Sequence, residues 1–191
     1  ASGDTLREFV LIDPTKTFPT PETVGAVTAQ NLHALPQTDM VILSPPAFLS
    51  EAERLAAKHR TKRDSISVTI VTPEQVYNEF SSGTPDATAI RRFMKMFYDR
   101  RSSESDAPKY LLLFGDGSHD NRQLSSAWKG IDMTNFLLTY QSHFSLGGNW
   151  TGGGEEHETF VTDDYFGFLD DGEGARIGTC NLRLGIGRFP V

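Results

Sequence analysis

The sequence predicts an α/β fold, in which three layers, α/β/α, are built around a mainly parallel sheet. Two observations carry this prediction. Continuously apolar runs such as Met40–Leu43 and Tyr110–Phe114 are typical of strands that are covered on both faces. Segments with helical periodicity separate these runs, and such alternation indicates parallel strands joined by right-handed crossovers.

Four strands are predicted before Gly115. Phe9–Ile12, Met40–Leu43 and Tyr110–Phe114 are apolar throughout, whereas Ile66–Val71 alternates more and is rich in β-branched residues. We expect the Tyr110–Phe114 strand to be central and buried, because its side chains leave no polar face.

Three helices are expected between these strands. The first follows Pro46 and has one apolar stripe. Thr72–Gln75 has the pattern of a capping box with proline at the first helical position, so a second helix begins there and continues through Phe80. Asp86 caps the third helix. The apolar positions are Phe48, Ala52, Leu55 and His59 in the first helix and Ile90, Phe93, Met94, Phe97 and Tyr98 in the third.

The periodic pattern is interrupted between Asn121 and Glu158. Within this region Gly147–Gly154 is a glycine-rich loop that is too long for a simple connection and is therefore functional or disordered. Further along, Thr159–Val161 and Tyr165–Leu169 resemble strands. A last strand is indicated by the alternation of Leu182, Leu184 and Ile186 with Arg183, Gly185 and Gly187.

Length and charge restrict the class of protein. The 191 residues suit one globular domain. The formal net charge of −7 argues against a nucleic-acid partner, because that interface needs a concentrated basic surface. No apolar run approaches the ~18–20 residues that cross a membrane.

Candidate functional residues follow the predicted strands, since ligands of open parallel sheets bind at the carboxyl ends of the strands. These ends are Ser44–Pro46, Thr72–Pro73 and Gly115–Asp120. Two glycines in the third segment allow another part of the molecule to approach its backbone closely. We therefore interpret this segment as the edge of a cleft rather than as a metal site or a phosphate-binding loop. The lysine and the spacing of a P-loop are missing. The candidates in this segment are Asp116, Ser118, His119 and Asp120.

Two further features are candidates for a functional role, an acidic cluster and the only cysteine. An acidic cluster could bind calcium through carboxylate oxygens, but it lacks the EF-hand spacing, so a solvated turn is the simpler interpretation and no cofactor is expected. Cys180, the only cysteine, falls on the apolar face of the last predicted strand, which favours an inert buried thiol over a nucleophile. The acidic cluster consists of Asp163, Asp164, Asp170, Asp171 and Glu173.

Several segments, taken in order, resemble the C25 peptidases, the gingipain-like cysteine peptidases. Within that family the chain is most similar to the sortase-like signal peptidases of the type IX secretion system. Asn31–Leu35 and Gly115–Asn121 suggest this branch. The segments that carry the family resemblance are Asp39–Leu43, Thr88–Phe93, Tyr110–Asp116, Thr162–Gly167 and Ile186–Phe189.

The resemblance implies a caspase-like catalytic domain made of two subdomains. It implies that residues 39–191 form the first, non-nucleophile subdomain, truncated at its C-terminal end, after a lead-in of residues 1–38 with one strand. In such proteins a catalytic histidine, in a His-Gly setting, and a catalytic cysteine follow the Ile-Gly-Arg-Phe segment. This sequence contains no His-Gly, so no catalytic residue is carried over, and we expect the dyad after Val191.

The resemblance also implies a function. The parent protein would remove the C-terminal secretion signal of type IX cargo at the bacterial cell surface, in association with the outer membrane. Its partners would be the second catalytic subdomain of the same polypeptide, cargo proteins and other secretion-system components. The chain alone is expected to be inactive, and Asp116, Ser118, His119, Asp163 and Asp164 are candidates for the cleft rim.

Two alternatives from other classes stay open at this point. The first is a non-catalytic flavodoxin-like domain whose ligand loop is Asp116–Asn121. The second is a metal-dependent hydrolase that uses Asp116, His119 and Asp163.

Overall fold

Four parallel strands form the central sheet of the computed structural model, which describes residues 10–23, 25–61, 65–142, 161–174 and 179–190. They pair in the order β2-β1-β3-β6. Residues of a short antiparallel pair, β4 and β5, lie between β3 and β6 along the chain. The strands are β1 (Met40–Leu43), β2 (Val68–Val71), β3 (Tyr110–Phe114), β4 (Tyr140–Gln141), β5 (Val161–Thr162) and β6 (Gly185–Phe189).

Three helices connect the first three strands of the sheet: α1 (Leu49–His59), α2 (Pro73–Phe80) and α3 (Ala87–Arg100). Their starts follow the predicted caps. The Thr72 hydroxyl accepts from the Gln75 N–H at 3.3 Å, and the Gln75 side chain accepts from the Thr72 N–H at 2.9 Å. The Asp86 carboxylate accepts from the Thr88 N–H at 2.8 Å. These side chains satisfy backbone donors that a helix leaves free.

The two faces of the sheet have separate apolar cores. On one face Val41, Leu43, Leu111 and Leu113 pack with α2 and α3, and the predicted apolar positions of α3 are all buried. On the other face Met40 and Ile42 pack against Ala52 and Ala56 of α1. The helices thus lie on both faces, which confirms the three-layer α/β/α fold.

Coverage on the α1 face is incomplete at β3. Tyr110 is 49% exposed and Leu112 is partly buried, whereas Leu111 and Leu113 on the opposite face are fully buried. An open groove of about 690 Å³ lies against Tyr110, Leu112 and the glycines of β6. The prediction of a central strand is confirmed, but the prediction that all its side chains are buried is wrong.

Two predicted strands are corrected. Val10, Leu11 and Ile12 are exposed at 86%, 100% and 60% and form no strand, since none of the described strands pairs with them. The apolar run Tyr165–Leu169 is buried, but Asp164–Gly167 is a 3₁₀ helix. A β-carbon at Gly167 would lie 2.8 Å from Leu182 Cδ2 and 3.0 Å from Ile186 Cδ1, so this backbone packs directly against the chain at β6.

The packed part of the chain begins near Gln30. Glu79 of α2 accepts hydrogen bonds from the Gln30 side chain at 2.9 Å and from the Leu32 N–H at 2.7 Å. The Nδ1 atom of His33 lies 2.7 Å from the same carboxylate, and the His33 ring stacks on Phe80. None of the described helices is both long and apolar enough to cross a membrane.

Candidate functional site

The connections of the sheet reverse direction beside β1. The chain leaves β1 through α1 and reaches β2 on one side, and it then returns through α2 and α3, on the opposite face, to β3 on the other side of β1. The gap between the carboxyl ends of β1 and β3 is therefore the topological switch point, the place where open α/β sheets bind ligands.

Arg188, near the end of β6, binds the segments that meet at this edge. Its Nη1 donates to the carbonyls of Gly115, Asp116 and Leu137 at 3.2, 2.9 and 3.3 Å, and its Nη2 donates to the carbonyl of Leu138 at 3.3 Å. Nε and Nη2 also donate to both carboxylate oxygens of Asp163. The guanidinium thus satisfies four carbonyls and a carboxylate with its fixed set of donors.

Gly117 allows this close approach. A β-carbon at this position would lie 2.8 Å from Thr139 Cγ2 and 3.1 Å from Arg188 Cζ. The absence of a side chain lets the loop after β3 lie directly on the guanidinium, as the sequence predicted for the glycines of this segment.

The rest of the loop is held by its own polar groups. The Ser118 carbonyl accepts from the Thr139 hydroxyl at 2.6 Å, and the Asn121 amide donates to the Thr139 carbonyl at 3.0 Å. The N–H groups of Ser125 and Leu124 donate to Asp120 and hold the pKa of its carboxyl below the ordinary value. Ser118 is buried, so its side chain is a structural element of this loop.

His119 is an exposed residue of this loop. The rings of His119 and Trp128 form a T-shaped pair with their centroids 5.5 Å apart, and the rings of Trp128 and Phe136 form another at 5.9 Å. All three rings belong to the segment between β3 and β4. His119 thus lies exposed in the segment after the carboxyl end of β3, and its place on a cleft rim stays a prediction.

The proposed metal set of Asp116, His119 and Asp163 does not match these contacts. Both carboxylate oxygens of Asp163 accept from Arg188 at 2.7 and 2.9 Å. Asp116 contributes its backbone carbonyl to this site, and that carbonyl accepts a hydrogen bond from the Leu137 N–H at 2.8 Å. The described residues contain no group of three or more His, Cys, Asp or Glu side chains that could hold a metal ion. The hypothesis of a metal-dependent hydrolase is not supported.

The acidic cluster is likewise divided among separate partners. Asp170 accepts from the Tyr98 hydroxyl at 2.7 Å and pairs with Arg183, and these donors keep the pKa of Asp170 below its ordinary value. The Nζ atom of Lys95 lies 2.9 Å from Oδ1 of Asp171. Because these carboxylates bind protein donors, they do not form the common oxygen site that calcium requires. Asp164 begins the 3₁₀ helix and is exposed.

Cys180 lies outside the last strand. This strand begins at Gly185, and Leu182 is 50% exposed, so the predicted alternation does not extend back to Cys180. The thiol is partly buried against the core of the α2 and α3 face, and its Sγ accepts from the Gly174 N–H at 3.3 Å. The predicted strand position is wrong, whereas the packing against the core agrees with a structural thiol.

Sequence reasoning found the loop after β3 and Asp163, but it missed Arg188, the residue that joins them. The sequence did contain one indication of its role, because Arg188 is a cation near the end of a predicted strand whose other face is apolar. Its partners Gly115 and Asp163 lie far away along the chain, and local spacing does not reveal such pairs. Residues 143–160 and 175–178, including the Gly147–Gly154 loop, lie outside the described part of the chain.

Comparisons with known proteins identify a peptidase family and a similar solved structure. The model of peptidase family C25 matches residues 33–191. Among solved structures, the dimeric latent PorU from Porphyromonas gingivalis is similar, with 47% sequence identity and a TM-score of 0.73. The match covers 88% of this chain and 15% of that structure's chain. No curated protein is significantly similar in sequence.

Proposed function

Because the chain belongs to peptidase family C25, we propose that it works as part of a longer cysteine peptidase that removes the C-terminal secretion signal of type IX cargo proteins. The family match over residues 33–191 carries this proposal. The 47% identity to PorU supports the assignment to this branch of the family. The site of action is the bacterial cell surface, in association with the outer membrane.

In this function the chain supplies scaffold and cleft rim. Arg188 fixes the loop after β3 and the turn at Asp163 in one arrangement. The rim candidates Asp116, Ser118 and His119 belong to that loop, and Asp163 and Asp164 belong to that turn. A rim held by hydrogen bonds between backbone and side chains keeps a peptide in one position relative to the reacting groups, which is a large part of catalysis.

The chemistry comes from a histidine and a cysteine contributed by polypeptide outside this sequence. The cysteine thiolate attacks the scissile carbonyl carbon, the C–N bond breaks, and the departing amine takes a proton from the histidine. The resulting acyl-enzyme then reacts with water or with an amine on a cell-surface acceptor. Transfer to an acceptor would be the sortase-like outcome.

The test compares this chain with a longer polypeptide that continues beyond Val191. Each is incubated with a peptide that carries a type IX C-terminal signal, and cleavage is followed by mass spectrometry. We expect only the longer polypeptide to cleave, with the same rate in its Cys180→Ala variant. Cleavage by this chain alone would contradict the assignment as scaffold, and an inactive longer polypeptide would contradict the function.

A further inference from the structure

A crevice of about 450 Å³ lies at the topological switch point of the sheet. Pro45 and Pro46 line it from the end of β1, Pro73 lines it from the end of β2, and Phe136 and Leu138 line it from the segment after β3. Its volume is within the range of roughly 300–1,000 Å³ that is usual for ligand pockets. The larger groove on the α1 face lies against Met40, Tyr110 and Gly185, the first residues of their strands, and so at the opposite end of the sheet.

The crevice continues into the candidate site. Leu137 and Leu138 line it, and their carbonyls accept from Arg188 at 3.3 Å each. Asn121 also lines it and donates to Thr139 in the loop that contains Ser118. A ligand in the crevice would therefore lie against the same backbone segments that form the rim.

The lining favours an uncharged, apolar group. Glu74 is the one charged side chain among the described residues that line the crevice. Four prolines contribute to the wall, and proline has no backbone N–H to offer an anion. The apolar and aromatic surface comes from Tyr77, Met133, Phe136, Leu137 and Leu138.

The nearest helix start is not available for an anion. Helix N-termini bind phosphate groups through free backbone donors. At α2 the Thr72 hydroxyl already accepts from the Gln75 N–H, and Pro73 occupies the first helical position. Glu74 adds a negative charge in the same turn. This arrangement disfavours the nucleotide or phosphate that a flavodoxin-like binding domain would take.

We propose that this switch-point crevice is a subsite that binds one apolar side chain of the extended peptide substrate. The proposal rests on the proposed peptidase function and adds a specificity determinant to it. Burial of an aliphatic or aromatic side chain against this lining excludes water from both surfaces. An acidic side chain would lose its hydration there beside Glu74, the one charged group among the described lining residues.

Binding is tested first on this chain, without any need for cleavage. Methionine and leucine methyl groups are labelled for NMR, and N-acetyl-leucinamide is compared with inorganic phosphate and with flavin mononucleotide. We expect N-acetyl-leucinamide to shift the methyl resonances of Met133 and Leu138, and the two anions to leave them unchanged. Shifts caused only by the anions, or by none of the three compounds, would overturn the proposal.

Two tryptophan variants provide the control. Thr134 is exposed and lines the crevice, so Thr134→Trp should fill it and abolish the shifts. Ser126 is exposed in the same loop and does not line the crevice, so Ser126→Trp should leave the shifts intact. Unchanged methyl resonances of the buried Leu113 establish that each variant is folded. Equal shifts in Thr134→Trp and the unmodified chain would contradict the assignment.

Specificity is tested next in the longer polypeptide, with signal peptides in which each residue in turn is replaced by alanine. We expect one apolar position whose replacement lowers kcat/KM by about tenfold or more, as expected for an apolar subsite. That loss should vanish in Thr134→Trp and persist in Ser126→Trp. Cleavage that is insensitive to Thr134→Trp would refute the subsite and leave the function intact. If no peptide is cleaved, the function fails, and the NMR experiment still decides the subsite.

Discussion

Arg188 and Asp163 form a two-point contact, with Nε of Arg188 2.9 Å from Oδ2 and Nη2 2.7 Å from Oδ1 of the carboxylate. The two side chains are only 15% and 23% exposed. The pair joins the last strand of the sheet to the turn before the 3₁₀ helix. The same guanidinium binds the carbonyls after β3, so one side chain orders three segments of the edge.

Arg188→Lys should lower the free energy of unfolding by about 2–3 kcal/mol, because lysine cannot make the bidentate contact and leaves carbonyls unsatisfied. Urea denaturation measures the change. Arg54→Lys is the matched control, since Arg54 and its partner Glu51 are 73% and 52% exposed, and exposed pairs contribute about 0–1 kcal/mol. A similar loss of unfolding free energy in both variants would show that the Arg188–Asp163 contact stabilises the chain no more than an exposed ion pair does.

Gly117→Ala should destabilise the chain by about 1–3 kcal/mol, because the new methyl group would overlap Thr139 Cγ2. Thr139→Ser removes that methyl group and keeps the hydroxyl that donates to the Ser118 carbonyl. The double variant should therefore recover part of the loss. Thermal denaturation of the two single variants and the double variant measures this coupling, and strictly additive effects would disprove the contact.

Leu113→Ala should cost about 2–5 kcal/mol, the usual range for a fully buried leucine. Leu112→Ala should cost clearly less, because Leu112 borders the open groove on the α1 face. The two residues are neighbours on one strand, so each serves as the control for the other in guanidinium denaturation. Equal losses would mean that both faces of β3 are covered alike.

Glu79→Gln should lower stability by about 1–2 kcal/mol at pH 7, since the carboxylate accepts charge-assisted hydrogen bonds. Burial opposes the charged form, but donors from Leu32, Gln30 and His33 outweigh it and place the pKa of Glu79 below its ordinary 4.5. The stabilisation is therefore present above pH 4.5 and is lost as the pH falls through the lowered pKa.

The free energies of unfolding of the Glu79→Gln variant and of the unmodified chain, measured as a function of pH, should therefore converge at acidic pH. Glu51→Gln, at an exposed position, provides the comparison and should show little change at either pH. A constant difference between the Glu79→Gln variant and the unmodified chain at all pH values would contradict the linkage.

The helices were predictable because their signals are local. Thr72 and Asp86 cap α2 and α3 at the expected residues, and the apolar spacing of α3 matches its buried face. Strands were predictable only where a partner exists. The run at Val10 has the composition of a strand, but pairing is a long-range property, and these residues are exposed.

The site was half predictable for the same reason. Parallel strands have to place their ends at one edge, so the segments after β1, β2 and β3 could be named in advance. Which side chains meet there depends on the distant return of β6, and so the contacts of Arg188 were not foreseen. The position of Cys180 was wrong because alternation was extended beyond the first residue of β6, Gly185.

The order of the strands has a consequence for folding kinetics. β1 pairs with β2 across 28 positions of sequence, whereas Tyr110 of β3 pairs with Gly185 of β6 across 75 positions. Closing the longer loop costs more chain entropy, so β6 should join the sheet late. Contacts that form after the rate-limiting step govern the lifetime of the native state. Arg188→Lys should therefore accelerate unfolding in stopped-flow measurements and leave the refolding rate nearly unchanged.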